Sequence, residues 1–226
     1  SVGRTIRENM TSIPAPDAAI FDFDGVIIDS REAVRTAING ALADHGLPTR
    51  PGPELDRFLG PPTLVAFAQL TGEGRDSGLV SRCVDTFHER YAEVYLDQTE
   101  LVEGIRDVLE RLRVPLALAT SKPSDFVGPL LARFGIAARF AVVTAPGMSA
   151  LEEPKSATVA RAVRALGATE PVVVGDRSFD VDGAHANGLR AIGVTWGIGD
   201  RRELEAAGAD LIIERPPELL PLLDHR

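Results

Sequence analysis

The chain has 226 residues, 44% of them hydrophobic, and a formal net charge of −9. That length suits one good core plus a smaller inserted unit, and the acidic balance argues against nucleic acid or an anionic membrane as a partner. No apolar run reaches transmembrane length, and a single cysteine, Cys83, rules out an internal disulfide.

Residues 1–17 form a lead-in carrying Pro14 and Pro16, with no apolar stretch like that of an export signal. With the lone cysteine this reads as a cytoplasmic protein, and Cys83 reads as a small buried side chain. Ala18 to Phe21 is a short apolar run, the pattern of a buried parallel strand, and it ends in Asp22-Phe23-Asp24-Gly25. Ser30 is placed to cap a helix to about His45, with Ala33, Val34, Ala37, Ile38, Ala41 and Leu42 at helical spacing. A bend follows from Leu47 to Pro53, then a helical turn from Glu54 to Leu59, broken at Gly60-Pro61-Pro62. Thr63 is placed to cap a helix to about Leu70, and Leu79 to Leu96 reads as a long amphipathic helix. The block 30–99 therefore reads as all-helical, inserted between two strands of a sheet.

From Gly104 the pattern alternates. Strands are expected at Pro115–Ala119, Phe140–Val143, Pro171–Val174, Ala191–Val194 and Asp210–Ile213. Helices are expected at Ile105–Leu112, Ser124–Phe134, Ser156–Leu166, Asp180–Asn187 and Arg201–Ala207, with a last turn at Glu218–Leu222. This alternation predicts an α/β fold, a doubly wound parallel sheet built from residues 18–29 and 100–226.

Polar clusters follow three of the strands: Asp22 with Asp24, Thr120-Ser121-Lys122, and Gly175-Asp176 with Asp180. The carboxyl ends of strands in a parallel sheet share one edge, so these clusters should meet. Neighbouring carboxylates resist ionising together unless a cation lies between them, which points to a hard divalent ion such as Mg²⁺. Only two of the 24 basic residues are lysines, Lys122 and Lys155. A chain that otherwise uses arginine keeps lysine where a compact ammonium is needed. Carboxylates, hydroxyls, an ammonium and helix N-termini together suit a phosphoryl group with its metal.

In order and spacing, Asp22-Phe23-Asp24-Gly25-Val26, Thr120, Lys155 and Gly175-Asp176 with Asp180 resemble the four motifs of the haloacid dehalogenase superfamily, specifically phosphatases with a helical cap between the first two motifs. The resemblance spans about Ala18 to Leu223. It implies a Rossmann-like core and an Mg²⁺-dependent phosphatase acting on a small phosphorylated molecule, as a monomer or weak dimer. It implies Asp22 as the nucleophile that becomes an aspartyl-phosphate and Asp24 as the general acid and base. Mg²⁺ would be held by the Asp22 carboxylate, the Asp24 backbone carbonyl and Asp176, with Asp180 supporting that shell or Lys155. Thr120 and Lys155 would bind phosphoryl oxygens, beside the loop at Gly25, with Ser121 and Lys122 as further phosphate or substrate contacts. Two departures stand out. The third motif reads Glu153-Pro154-Lys155-Ser156-Ala157, and Arg177 replaces the small serine common after the fourth-motif aspartate. Arg177 is open to two readings, a substrate contact or a partner for a surface acid. His45, His88, His185 and His225 show no ligand-like pairing.

Within the superfamily, Asp24 favours an oxygen leaving group over a halide. The block 30–99 has no lysine for Schiff-base phosphonate chemistry, and Val34 stands near where β-phosphoglucomutases carry a histidine. The segment Arg57-Phe58-Leu59-Gly60-Pro61-Pro62-Thr63 resembles the substrate loop of the phosphoglycolate phosphatase subgroup, placing Arg57, Gly60 and Pro61 near substrate. Phosphoglycolate and a sugar, nucleoside-like or C-glycosidic pentose phosphate remain candidates. The alternatives are a sugar-phosphate mutase, a receiver-like binding module that holds a stable phospho-aspartate, and an idle relative serving as an interaction protein.

Overall fold

The computed structural model describes residues 15–60, 62–150 and 153–224. Most of the lead-in, Pro61 and His225 lie outside them. The chain opens with β1 (Ala19–Phe21) and a short β2 (Ile28–Asp29), followed by α1 (Arg31–Asp44), α2 (Gly52–Leu55), α3 (Thr63–Thr71) and α4 (Gly78–Val94). It continues through β3 (Glu100–Leu101), α5 (Ile105–Arg111), β4 (Leu116–Ala119), α6 (Ser124–Arg133), β5 (Val142–Thr144), α7 (Lys155–Leu166) and β6 (Val172–Gly175). The last elements are α8 (Ser178–His185), β7 (Arg190–Val194), α9 (Arg201–Ala206), β8 (Leu211–Ile213) and α10 (Leu219–Leu223).

Six strands form one parallel sheet in the order β5-β4-β1-β6-β7-β8. The strand order reverses about β1, whose Phe21 pairs with Leu118 on one side and Val174 on the other. Helices cover both faces, so the strands are apolar throughout rather than alternating. Phe21, Leu118 and Val174 pack on one face with Leu109, Val127 and Leu130. Ile20, Ala117 and Val173 pack on the other with Val159, Ala162, Val181 and Ala184.

Between β2 and β3 the helices α1 to α4 have a core of their own, built around Ile38, Leu42, Leu55, Phe67, Val80 and Cys83. Among the described residues no strand interrupts the block, but a two-residue antiparallel ribbon closes it: Ile28 pairs with Leu101 and Asp29 with Glu100. That ribbon was not expected, because two residues carry no periodicity. Three other expectations shift. Ser30 precedes α1, yet its hydroxyl makes no cap hydrogen bond and donates instead to Asp24 Oδ1 at 2.5 Å. Pro62, not Thr63, precedes α3; its ring fixes φ, here −53°, and with ψ at 135° it leads into the first turn without a side-chain cap. The strand expected at Phe140–Val143 is displaced to Val142–Thr144, because Phe140 closes a 3₁₀ turn and is buried in the main core. No helix among the described residues is long and apolar enough to cross a membrane.

Candidate active site

The carboxyl ends of β1, β4 and β6 carry Asp22, Thr120 and Asp176. Asp22 donates its backbone N–H to Val174 O at 2.9 Å, so the sheet ladder itself fixes the start of the site. Gly25 then turns the chain with φ +82°, a conformation that favours glycine. It also lets the loop close on β6, since a Cβ there would lie 2.2 Å from Asp176 Oδ2.

Lys155 opens α7 and is buried; its Nζ lies 2.6 Å from Asp22 Oδ1 and 2.7 Å from Asp180 Oδ1. Carboxylate oxygens of Asp22, Asp176 and Asp180 lie within 4.8 Å of one another. Asp176 Oδ2 accepts from the Ile198 N–H at 2.7 Å. Its Oδ1 is buried with no hydrogen-bond partner among the described residues. Asp180 Oδ2 accepts from the Arg177 N–H at 3.1 Å at the start of α8. Burial pushes the Asp22 carboxyl up to about 7 against the pull of Lys155. Burial, then Asp180 and Asp22, push Asp176 well above the ordinary carboxylate range. Burial also opposes the Lys155 ammonium, but Asp180 and Asp22 outweigh it and raise its pKa. One ammonium against three close acids, with a buried oxygen left over, is a donor set that fits a hard divalent cation.

Asp24 stands apart from this cluster. Its Oδ1 accepts from Ser30 Oγ and from Lys122 Nζ, the latter at 3.0 Å, and Lys122 lies over the Tyr91 ring at 4.8 Å from its centroid. The two aspartates of one short motif thus face different surroundings, one beside Lys155 and one beside Lys122. Thr120 is buried and turns the next residues by accepting the Lys122 N–H at 3.0 Å on Oγ1.

A family model for haloacid dehalogenase-like hydrolases matches residues 19–194. The chain belongs to that family. It is 28% identical over 224 residues to a phosphoglycolate phosphatase of Pectobacterium atrosepticum, covering 96% of each chain. It is 30% identical over 192 residues to a 5'-nucleotidase of Pseudomonas aeruginosa, covering 83% of this chain and 86% of that one. Among solved structures, a predicted phosphatase from Clostridium acetobutylicum superposes with a TM-score of 0.84 at 26% identity, covering 91% of this chain and 97% of that one.

In this haloacid dehalogenase-like hydrolase a cavity of about 120 Å³ lies between the carboxylates and the helical block. Asp22, Asp24, Thr120, Ser121 and Lys122 form its floor, and Gly60 reaches its wall. Arg57 does not: it is exposed and stacks on its neighbour Phe58, with Cζ 4.7 Å from the ring centroid. Pro61 lies outside the described residues. Arg177 pairs with Glu203 at 3.0 Å and also donates from Nη1 to Leu59 O at 2.6 Å, joining α8 and α9 to the loop before Gly60. His45 meets Thr86 and His185 meets Asp210, whereas His88 lines the cavity. Sequence reading missed His88, Tyr91, Phe126 and Phe179 as wall residues. The run Phe87, Tyr91, Tyr95 at four-residue spacing marks one helix face, but only tertiary packing decides what that face meets.

Proposed function

We propose that this hydrolase cleaves a small-molecule phosphate monoester with Mg²⁺, through a phosphorylated Asp22. The observation that carries the reading is the separation of the two motif aspartates. Asp22 sits with Lys155 among the clustered acids, while Asp24 is held outside them by Ser30 and Lys122. A nucleophile and a proton carrier need such different surroundings. The names of the relatives, phosphoglycolate phosphatase and 5'-nucleotidase, support the same class of reaction.

The Asp22 carboxylate attacks phosphorus as the ester P–O bond breaks, and Asp24 gives its proton to the departing alkoxide. Asp24 then takes a proton from water, whose oxygen attacks the same phosphorus and frees the Asp22 carboxylate. Lys155 and the Thr120 hydroxyl hold phosphoryl oxygens through both steps. Asp22, Asp176 and the Asp24 backbone carbonyl would hold Mg²⁺, with Asp180 beside them. The bound ion would supply positive charge that offsets the crowded carboxylates and the phosphoryl group. The helical block 30–99 acts as a cap over the core formed by 18–29 and 100–226, excluding water from the cavity.

The test is p-nitrophenyl phosphate hydrolysis with and without chelator, followed by mass spectrometry of an Asp24→Ala variant after brief exposure to substrate. Phosphate carried on the peptide containing Asp22 is expected. Full turnover by Asp22→Asn would refute the nucleophile.

A further inference from the structure

Resting on that phosphatase reading, we infer that the alcohol released carries an uncharged apolar body about the size of one ring, and not a carboxylate. The cavity floor is polar, but its walls are mostly apolar. Val34, Ile38, Phe58, Phe67, Phe87 and Phe126 line it, and Phe179 closes it from the core side. The rings run in contact across the wall: Phe67 meets Phe87 edge-on at 5.9 Å, Phe87 stacks on Tyr91 at 5.8 Å, and Tyr91 meets Phe126 edge-on at 5.0 Å. Aromatic walls of this kind receive a flat apolar group by offset or edge contacts. The whole space, polar floor included, is about 120 Å³, so beside a phosphoryl group the body can be no larger than about one ring.

A carboxylate would find no counter-charge. Lys122 is spent on Asp24. Lys155 is spent on Asp22 and Asp180. Burial lowers the His88 pKa, so its ring is neutral near pH 7. Arg35 pairs with Asp56, Arg177 with Glu203, and Arg57 is exposed on Phe58. Among the described residues no free cation reaches the wall. An unpaired charge taken into such a space is strongly disfavoured. A bare sugar fares little better. Among the described residues the polar side chains that the helical block offers to the cavity are Ser30, Thr63, His88 and Tyr91, and the Ser30 hydroxyl is already given to Asp24, which leaves too few for several hydroxyls.

The experiment measures kcat/KM with Mg²⁺ for benzyl phosphate, phosphoglycolate and ribose 5-phosphate, using Asp22→Asn as the blank. Benzyl phosphate is expected first, about 100-fold or more above phosphoglycolate and about tenfold above ribose 5-phosphate. Any other substrate in first place overturns this inference while leaving the phosphatase reading intact. Failure of all three substrates and of p-nitrophenyl phosphate, with Mg²⁺ present, overturns the phosphatase reading and this inference with it.

Discussion

Lys122 and Asp24 form a pair across 98 residues of sequence, with Nζ 3.0 Å from one carboxylate oxygen and 3.2 Å from the other. The lysine side chain is only 6% exposed. Burial works against its charge, but Asp24 and Tyr91 outweigh that and raise its pKa. With the Ser30 hydroxyl on the same oxygen, the Asp24 carboxylate is gripped from two sides. On the proposed mechanism Asp24 is the proton carrier, which must be held at the leaving oxygen to work, and this pair would hold it there.

Lys122→Met keeps most of the side-chain length and removes the ammonium. The expected result is a fall of about 10- to 100-fold in kcat/KM for an alkyl phosphate. The fall should be smaller for p-nitrophenyl phosphate, because nitrophenolate leaves without being protonated. Steady-state assays on both esters decide the point, and equal losses would count against a positioning role. Lys122→Arg should not rescue, since a planar guanidinium cannot replace a compact ammonium between Asp24 and the Tyr91 ring.

Arg177 ties the helical block to the core. Its guanidinium bonds Glu203 and the Leu59 carbonyl, and Glu203 also accepts from the Ser178 N–H and hydroxyl. Arg177→Ala removes the bridge and leaves the Leu59 carbonyl without it. Hydrogen exchange near residues 58–60 should speed up, and KM should rise more than kcat falls, because closure over substrate weakens before the chemistry does. Unchanged exchange in this segment would refute the bridge.

Much of this architecture can be read before any coordinates, for physical reasons. Strands buried on both faces, such as Val172-Val173-Val174, are uniform apolar runs bounded by turn residues, so their positions are plain. Asp22 and Asp176 are legible because each follows such a strand, and Lys155 because it is one of only two lysines and opens a helix. What escapes is pairing across long sequence distance. Nothing local says that Lys122 meets Asp24, that Arg177 reaches Leu59 across 118 residues, or that Ser30 bonds Asp24 instead of capping α1. Arg57 misleads for the opposite reason: an arginine beside a substrate-like loop finds a nearer partner in Phe58.

Gly60 and Phe179 set the fit of the loop over the cavity. Gly60 has φ +99°, and a Cβ there would lie 2.5 Å from the Phe179 ring. Gly60→Ala therefore meets both backbone strain and a clash, and should lower stability by about 1–3 kcal/mol. Phe179→Ala in the same chain removes the clash but not the strain. A double-mutant cycle by denaturant unfolding should show partial recovery. Additive losses would mean that the ring and the loop do not press on each other.

The acid cluster also dictates how stability follows pH when no metal is bound. Asp22 has its folded pKa raised to about 7, and Asp176 is raised as well. Between the ordinary carboxylate value of about 4 and those raised values, the folded protein holds protons that the unfolded chain has released. Stability should then fall as pH rises through this window. In chelator, the Tm is expected to drop from pH 5.5 to pH 8. Mg²⁺ competes with those protons, so its stabilising effect should be larger at pH 8 than at pH 5.5, with protons released on binding in the lower range. Thermal scans with and without Mg²⁺, on the parent and on Asp176→Asn, separate the site from the rest of the chain. The variant should lose most of the metal response and part of the pH slope. A parent whose Tm is flat across this range, with a metal response independent of pH, would contradict a charge-crowded centre at Asp22 and Asp176.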